Sequence, residues 1–230
     1  MKQLMTSFFL LFVFYVGVTQ AATGKKVELT NLEDFFRFEN IQQLESHFGK
    51  ENVFTEKTFF GDPTAGESPY LVSQVKFDTP QSVLVIWNEK GNLVCEVQTS
   101  AYFYDGKNKK TIFIPNNWKT KQGMYAGMPL AMLVRKNRSH LKFYVQPRKL
   151  NSNFGTILLQ NERLRSQLKV PFSTQKLIYV YTLDLKRLKK FFPEFKDSIL
   201  KSNNRIVRQM NPILDLISIY REGFKPENKK

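Results

Sequence analysis

The sequence predicts an α+β protein of two tandem helix-on-antiparallel-sheet units, with one merged domain as the alternative. Three observations carry that expectation. Short β-branched and aromatic runs recur between clusters of Gly, Pro, Asn and Asp, the pattern of a strand meander. Two amphipathic segments, 31–49 and 129–136, show helical rather than alternating periodicity. A helix-then-strands order occurs before Pro115 and recurs loosely after it. The units so bounded are 22–115 and 116–223, with a leader over 1–21 and a charged, frayed tail over 224–230.

The leader has Lys2 as its positive end, an apolar run over 8–18 and Thr19-Gln20-Ala21 as an A-x-A-like cleavage site. That is the pattern of a secretory signal peptide cut near Ala21, which makes a secreted or periplasmic location the expectation. The run falls short of the ~20 apolar residues of a spanning helix. The residue after the cut is Ala22 rather than a cysteine, so a lipid anchor is not expected.

In segment 31–49, Phe38, Ile41, Leu44 and Phe48 form one helical stripe, and Gly49 supplies a C-cap. His47 flanks that stripe as a packing or surface residue, since a metal site needs several ligands. Strands are expected over 53–60, 70–77, 82–87 and 93–104, with turns at Gly61-Asp62-Pro63, Asp78-Thr79-Pro80 and 88–92. Cys95, the only cysteine, shares a face with Leu93 and Val97 and reads as a buried thiol with no charge to activate it. A lone cysteine also excludes an internal disulfide, so packing must supply the stability. Residues 105–110 form a lysine-bearing turn before a short strand over 111–114.

The stretch 118–137 is the organising unit. Gly123 and Gly127 give the backbone latitude, Pro129 suits the first helical position, and Leu130, Leu133 and Val134 make one stripe. Asn137 is the expected left-handed terminator. Strands follow over 141–146, 154–160 and 177–183. Asp184 N-caps a helix over 185–192, whose apolar face Phe195 and Ile199 continue past Pro193. Residues 203–212 read as a polar, basic link, and 213–220 as a final buried strand.

Charge divides the chain. Through Asp105 there are 8 Lys+Arg against 13 Asp+Glu; from Gly106 onward there are 27 against 7. A net −5 front therefore precedes a net +20 back, and the back interleaves its cations with aromatics, as in Lys142-Phe143-Tyr144 and Lys190-Phe191-Phe192. Such a surface attracts anions. For a secreted chain those are lipid head groups, envelope polymers or an acidic protein, with peripheral membrane contact compatible and nucleic acid not expected.

Catalytic motifs are scarce. Ser198-Ile199-Leu200-Lys201 and Ser73-Gln74-Val75-Lys76 match S-x-x-K, but the accompanying S-D-N and K-T-G elements are missing. No G-x-S-x-G, phosphate-binding loop or dinucleotide fingerprint occurs, and two histidines with one cysteine make no zinc set. No cofactor or metal is expected.

Three passages resemble a family of uncharacterised secreted bacterial envelope proteins. They are residues 118–130 (W-K-T-K-Q-G-M-Y-A-G-M-P-L), Arg208-Gln209-Met210-Asn211-Pro212, and residues 44–53 (L-E-S-H-F-G-K-E-N-V). The glycine-hydrophobic helix entry also resembles the small α+β repeats of the β-lactamase inhibitor protein and the outer-membrane assembly lipoprotein. That resemblance implies an α+β fold outside the cytoplasm and protein binding through a sheet or loop surface, without catalysis. It supplies no catalytic residues.

The expectation is thus a secreted, non-enzymatic binder whose basic half faces an anionic envelope component or an acidic protein. Its contacts would be Lys107, Lys109 and Lys110 on a turn, and Lys186, Arg187, Lys189 and Lys190 on a helix. The competing classes are a hydrolase of an anionic envelope polymer and a self-associating structural protein, pairing acidic front with basic back.

Overall fold

The structure is a computed structural model, described here for residues 29–59, 69–138, 140–146, 156–158, 173–174, 177–183 and 199–224. The leader, the helix expected over 185–192 with its four cations, and Ser198 lie outside the described residues.

The described chain combines helices with antiparallel sheet, an α+β architecture. Its first helical segment is split. A 3-10 helix over Leu32–Arg37 ends at Phe38, and a separate helix α1 (Ile41–Phe48) starts after Asn40. The reason is local: Asn40 is extended, and its side chain accepts the Gln43 N–H, an N-cap that resets the helix. Gly49 closes α1 as expected, at φ 86°.

Strands β1 (Val53–Thr58), β2 (Tyr70–Val75), β3 (Val83–Trp87) and β4 (Val94–Ser100) form the expected meander. The run expected over 93–104 breaks at Ala101, and β5 (Tyr102–Asp105) with β6 (Lys110–Phe113) makes a separate two-stranded sheet. Helix α2 (Leu130–Asn137) follows. Pro129 is its extended N-cap rather than its first residue, and Arg138, not Asn137, takes the left-handed exit at φ 54°. Strands β7 (Lys142–Gln146), β8 (Thr156–Leu158), β9 (Ser173–Thr174), β10 (Leu177–Leu183) and β11 (Ile199–Lys201) come next. Ile199, expected to extend a helical face, is therefore in a strand, paired with Tyr144 of β7. The expected link over 203–212 is a helix, α3 (Arg205–Met210), because the Asn204 side chain accepts the Ile206 and Val207 N–H groups. Strand β12 (Leu214–Arg221) is the last described strand.

The main sheet runs β1-β2-β3-β4-β12-β10-β9, so the last strand lies against the fourth. Its core face carries Val53, Val75, Val85, Trp87, Val97 and Ile217, covered by Leu32, Phe35 and Leu44 from one side of the sequence and Met124, Met128 and Leu133 from the other. Phe35 is the hinge of this packing, stacked on Phe48 at 5.7 Å and edge-on to Trp118 at 5.1 Å. Ser73 sits in strand β2, where its hydroxyl takes the Trp87 indole N–H at 2.9 Å and meets Thr55 at 2.7 Å. It cannot share a helical turn with Lys76. His47 is half-buried and lies edge-on to Phe38, so of the two expected roles it takes packing.

A register shift between Ile86 and Trp87, opposite Val94–Glu96, bulges β4. It leaves Leu93 exposed while Cys95 and Val97 are buried, so the three do not share one environment. A charge does reach Cys95: Arg221 draws its pKa down, but burial is the larger effect and raises it. The thiol is held inert.

The stretch 118–137 docks on the rest through its backbone. Leu32 N–H donates to Lys119 O at 2.8 Å, and both Glu33 carboxylate oxygens accept the Lys121 N–H at 2.9 and 3.0 Å. Gly127 N–H donates to Leu214 O, Leu214 N–H to Met128 O at 2.9 Å, and Leu130 N–H to Pro212 O at 2.7 Å. Gly127 has φ 102°, and a Cβ there would lie 2.8 Å from Pro115 Cα.

Candidate functional site

The lysines expected at a turn stand at the tip of the β5–β6 hairpin. Its base is fastened where β4 meets β12: Ala101 N–H donates to Asp215 O, and Ile114 N–H to Ala101 O, at 2.8 and 2.9 Å. Beyond that point the two strands leave the main sheet and, among the described residues, pair only with each other.

The turn 106–109 is built by Asp105. Its Oδ1 accepts the Lys107 and Asn108 N–H groups at 3.0 and 3.2 Å, an Asx-type closure. Asn108 also donates its side-chain amide to Oδ2. That side-chain bond, followed by the Asn108 backbone N–H, holds the Asp105 carboxyl below its ordinary pKa. The one acid of the hairpin is thereby committed to the turn. Lys109 completes the reversal at φ 48°. Lys107, Lys109 and Lys110 are all exposed, with no ion pair to any of them among the described residues.

Register places Tyr102 opposite Phe113 and Tyr104 opposite Thr111, so three aromatic rings share one face of the hairpin. Tyr102 and Phe113 meet edge-on at 5.9 Å, while Tyr104 is 61% and Phe113 46% exposed. The arrangement is a short ribbon with cations at the tip and aromatic surface along its side. Sequence reasoning named the lysines and missed Tyr104 and Phe113. The signal was the alternation Tyr102-Phe103-Tyr104, whose two faces could not be assigned without knowing that the ribbon leaves the sheet.

Lys186, Arg187, Lys189 and Lys190 lie outside the described residues, so nothing places them beside the hairpin. Among the described residues no group of three His, Cys, Asp or Glu side chains is arranged to hold a metal ion. No described helix is long and apolar enough to cross a membrane. Comparison with protein-family models, with curated proteins and with solved structures returns no match.

Proposed function

We propose that the chain is a secreted, non-enzymatic binding protein of the cell envelope, and that the β5–β6 hairpin seats it on an anionic lipid surface. The observation that supports this most is the tip: three exposed lysines with no ion pair among the described residues, beside exposed Tyr104 and Phe113, with the neighbouring acid hydrogen-bonded into the turn. Interfacial contact needs those two residue types together. Lysines supply attraction to head groups, and amphipathic rings settle at the apolar boundary. Each lysine held near an anionic leaflet contributes about 1 kcal/mol, so three account for roughly two orders of magnitude in affinity. The leader pattern and the resemblance to envelope proteins supply the compartment in this reading. The chain is one merged domain rather than two tandem units in the same reading, supported by the pairing of β4 with β12 across Pro115.

The test is sedimentation with vesicles of zwitterionic lipid, with and without an anionic lipid, using the chain from Ala22 onward. Binding only to the anionic vesicles supports the proposal; equal binding to both, or to neither, removes it.

A hydrolase reading has one contact in its favour: His140 Nδ1 lies 3.3 Å from Ser202 Oγ. That oxygen, however, accepts the Leu141 N–H at 2.9 Å, and Ser202 is 5% exposed. Loss of a measured hydrolytic activity on an envelope polymer in Ser202→Ala would restore this reading.

A further inference from the structure

A second site lies away from the hairpin. The end of α3 meets the start of α2: Asn211, left-handed at φ 41°, closes α3 and caps α2 by accepting the Ala131 N–H on Oδ1 at 3.0 Å. Beside this junction is a half-open cavity of about 320 Å³. Leu130, Val134 and Val207 make its apolar wall, and Arg208, His140 and Ser202 bring its polar groups.

Ser202 clasps residue 141 in both directions, with its N–H donating to Leu141 O at 2.8 Å and its Oγ accepting the Leu141 N–H at 2.9 Å. The same oxygen lies 3.3 Å from His140 Nδ1, and the imidazole tautomer sets which of the two donates. Arg208 adds a guanidinium with no ion pair among the described residues. The segments framing the cavity, 129–138, 140–146 and 199–211, contain seven Lys or Arg and no Asp or Glu. No carboxylate of these segments competes for the guanidinium.

We propose that this cavity binds a small organic carboxylate with a compact apolar body. One guanidinium matches one carboxylate, and its two parallel N–H groups suit a planar acceptor. A phosphate dianion would need a second cation, and among the described residues the lining offers only Arg208 as a permanent one. The apolar wall takes the rest of the ligand. At ~30 Å³ per water-sized group the volume admits about ten non-hydrogen atoms, near the lower bound of ligand pockets. The site shares no residue with the hairpin, so it stands or falls independently of the membrane reading.

Titration of the chain from Ala22 onward with benzoate, benzamide and inorganic phosphate, followed by amide chemical shifts, tests it. Benzoate is expected to saturate, with benzamide at least about tenfold weaker and phosphate weaker still; that is the worth of one charge-assisted pair. Arg208→Gln should weaken benzoate by a similar factor, and Arg208→Lys by less, because lysine keeps the charge without the fork. The hairpin variant lacking Lys107, Lys109 and Lys110 should bind benzoate like the unmodified chain. Equal affinity for benzoate and benzamide, tighter binding of phosphate, an unaffected Arg208→Gln, or no saturation by roughly 10 mM benzoate would each overturn the assignment.

Discussion

Ser218 of β12 donates its hydroxyl to Oε1 of Glu96 on β4, joining residues 122 positions apart in the middle of the main sheet. Gln98 donates to the same oxygen at 2.7 Å, while Oε2 is buried without a partner among the described residues. Glu96 is 2% exposed. Burial raises its pKa above the ordinary value of 4.5, against the lowering effect of the Ser218 and Gln98 bonds.

The sign of the resulting pH dependence follows. Below about 4.5 the carboxyl is protonated in both the folded and unfolded chain, and it costs nothing. As pH rises the unfolded chain ionises first, so the stability contributed by the protonated group is lost through the folded pKa. Glu96→Gln is expected to raise Tm at pH 7 by about 2–4 °C, equivalent to roughly 1 kcal/mol for a chain of this size, with the gain vanishing near pH 4. Thermal melts at the two pH values check this.

Glu33 makes the opposite case, a buried carboxylate in use. Its two oxygens receive the Lys121 N–H and so hold the 118–137 stretch to the first 3-10 helix. Glu33→Ala strips the acceptor from a backbone donor and should cost about 1–3 kcal/mol. Denaturant midpoints would register it, and loss of amide protection at Lys121 would localise it.

Gly127 is required for two reasons, its left-handed backbone at φ 102° and the contact a Cβ would make with Pro115. Gly127→Ala is expected to cost about 2 kcal/mol or more, since strain and overpacking add. Gly106, with open space around it, should accept alanine within about 0.5 kcal/mol. Equal effects at the two glycines would contradict this account of the 118–137 stretch.

Much of the sheet was legible because strand residues declare themselves by alternation and by the turns between them. The run Val83-Leu84-Val85-Ile86-Trp87 became β3, and 177–183 became β10 unchanged. What failed was governed by single side chains or by distant pairing. Asn40 and Asn204 each start a helix by capping, one splitting a helix and one creating a helix in an expected link. Ile206, Val207 and Met210 held the helical spacing that the surrounding polar residues obscured. That β12 would lie beside β4 is a long-range choice no local pattern encodes. At the hairpin the lysines were readable as charge in a turn. Their aromatic neighbours were not, since which ring faces solvent depends on where the ribbon leaves the sheet.

The aromatic face should act separately from the charge. Replacing Tyr104 and Phe113 with serine is expected to weaken vesicle binding at high salt more than at low salt, as the screened lysines leave the rings to hold the chain. Tryptophan-substituted Tyr104 would report the same insertion as a blue shift in fluorescence on anionic vesicles.

The most direct measurement is co-sedimentation of the chain from Ala22 onward with anionic vesicles at 0.1 M and 1 M salt, beside a variant with Lys107, Lys109 and Lys110 changed to glutamine. The Debye length falls from ~10 Å to ~3 Å between those conditions. Binding at low salt is expected to drop sharply at high salt, and the variant to be weakened about a hundredfold with a flatter salt dependence. A variant that pellets like the unmodified chain, with the same loss at high salt, would take the hairpin out of the anion-binding surface.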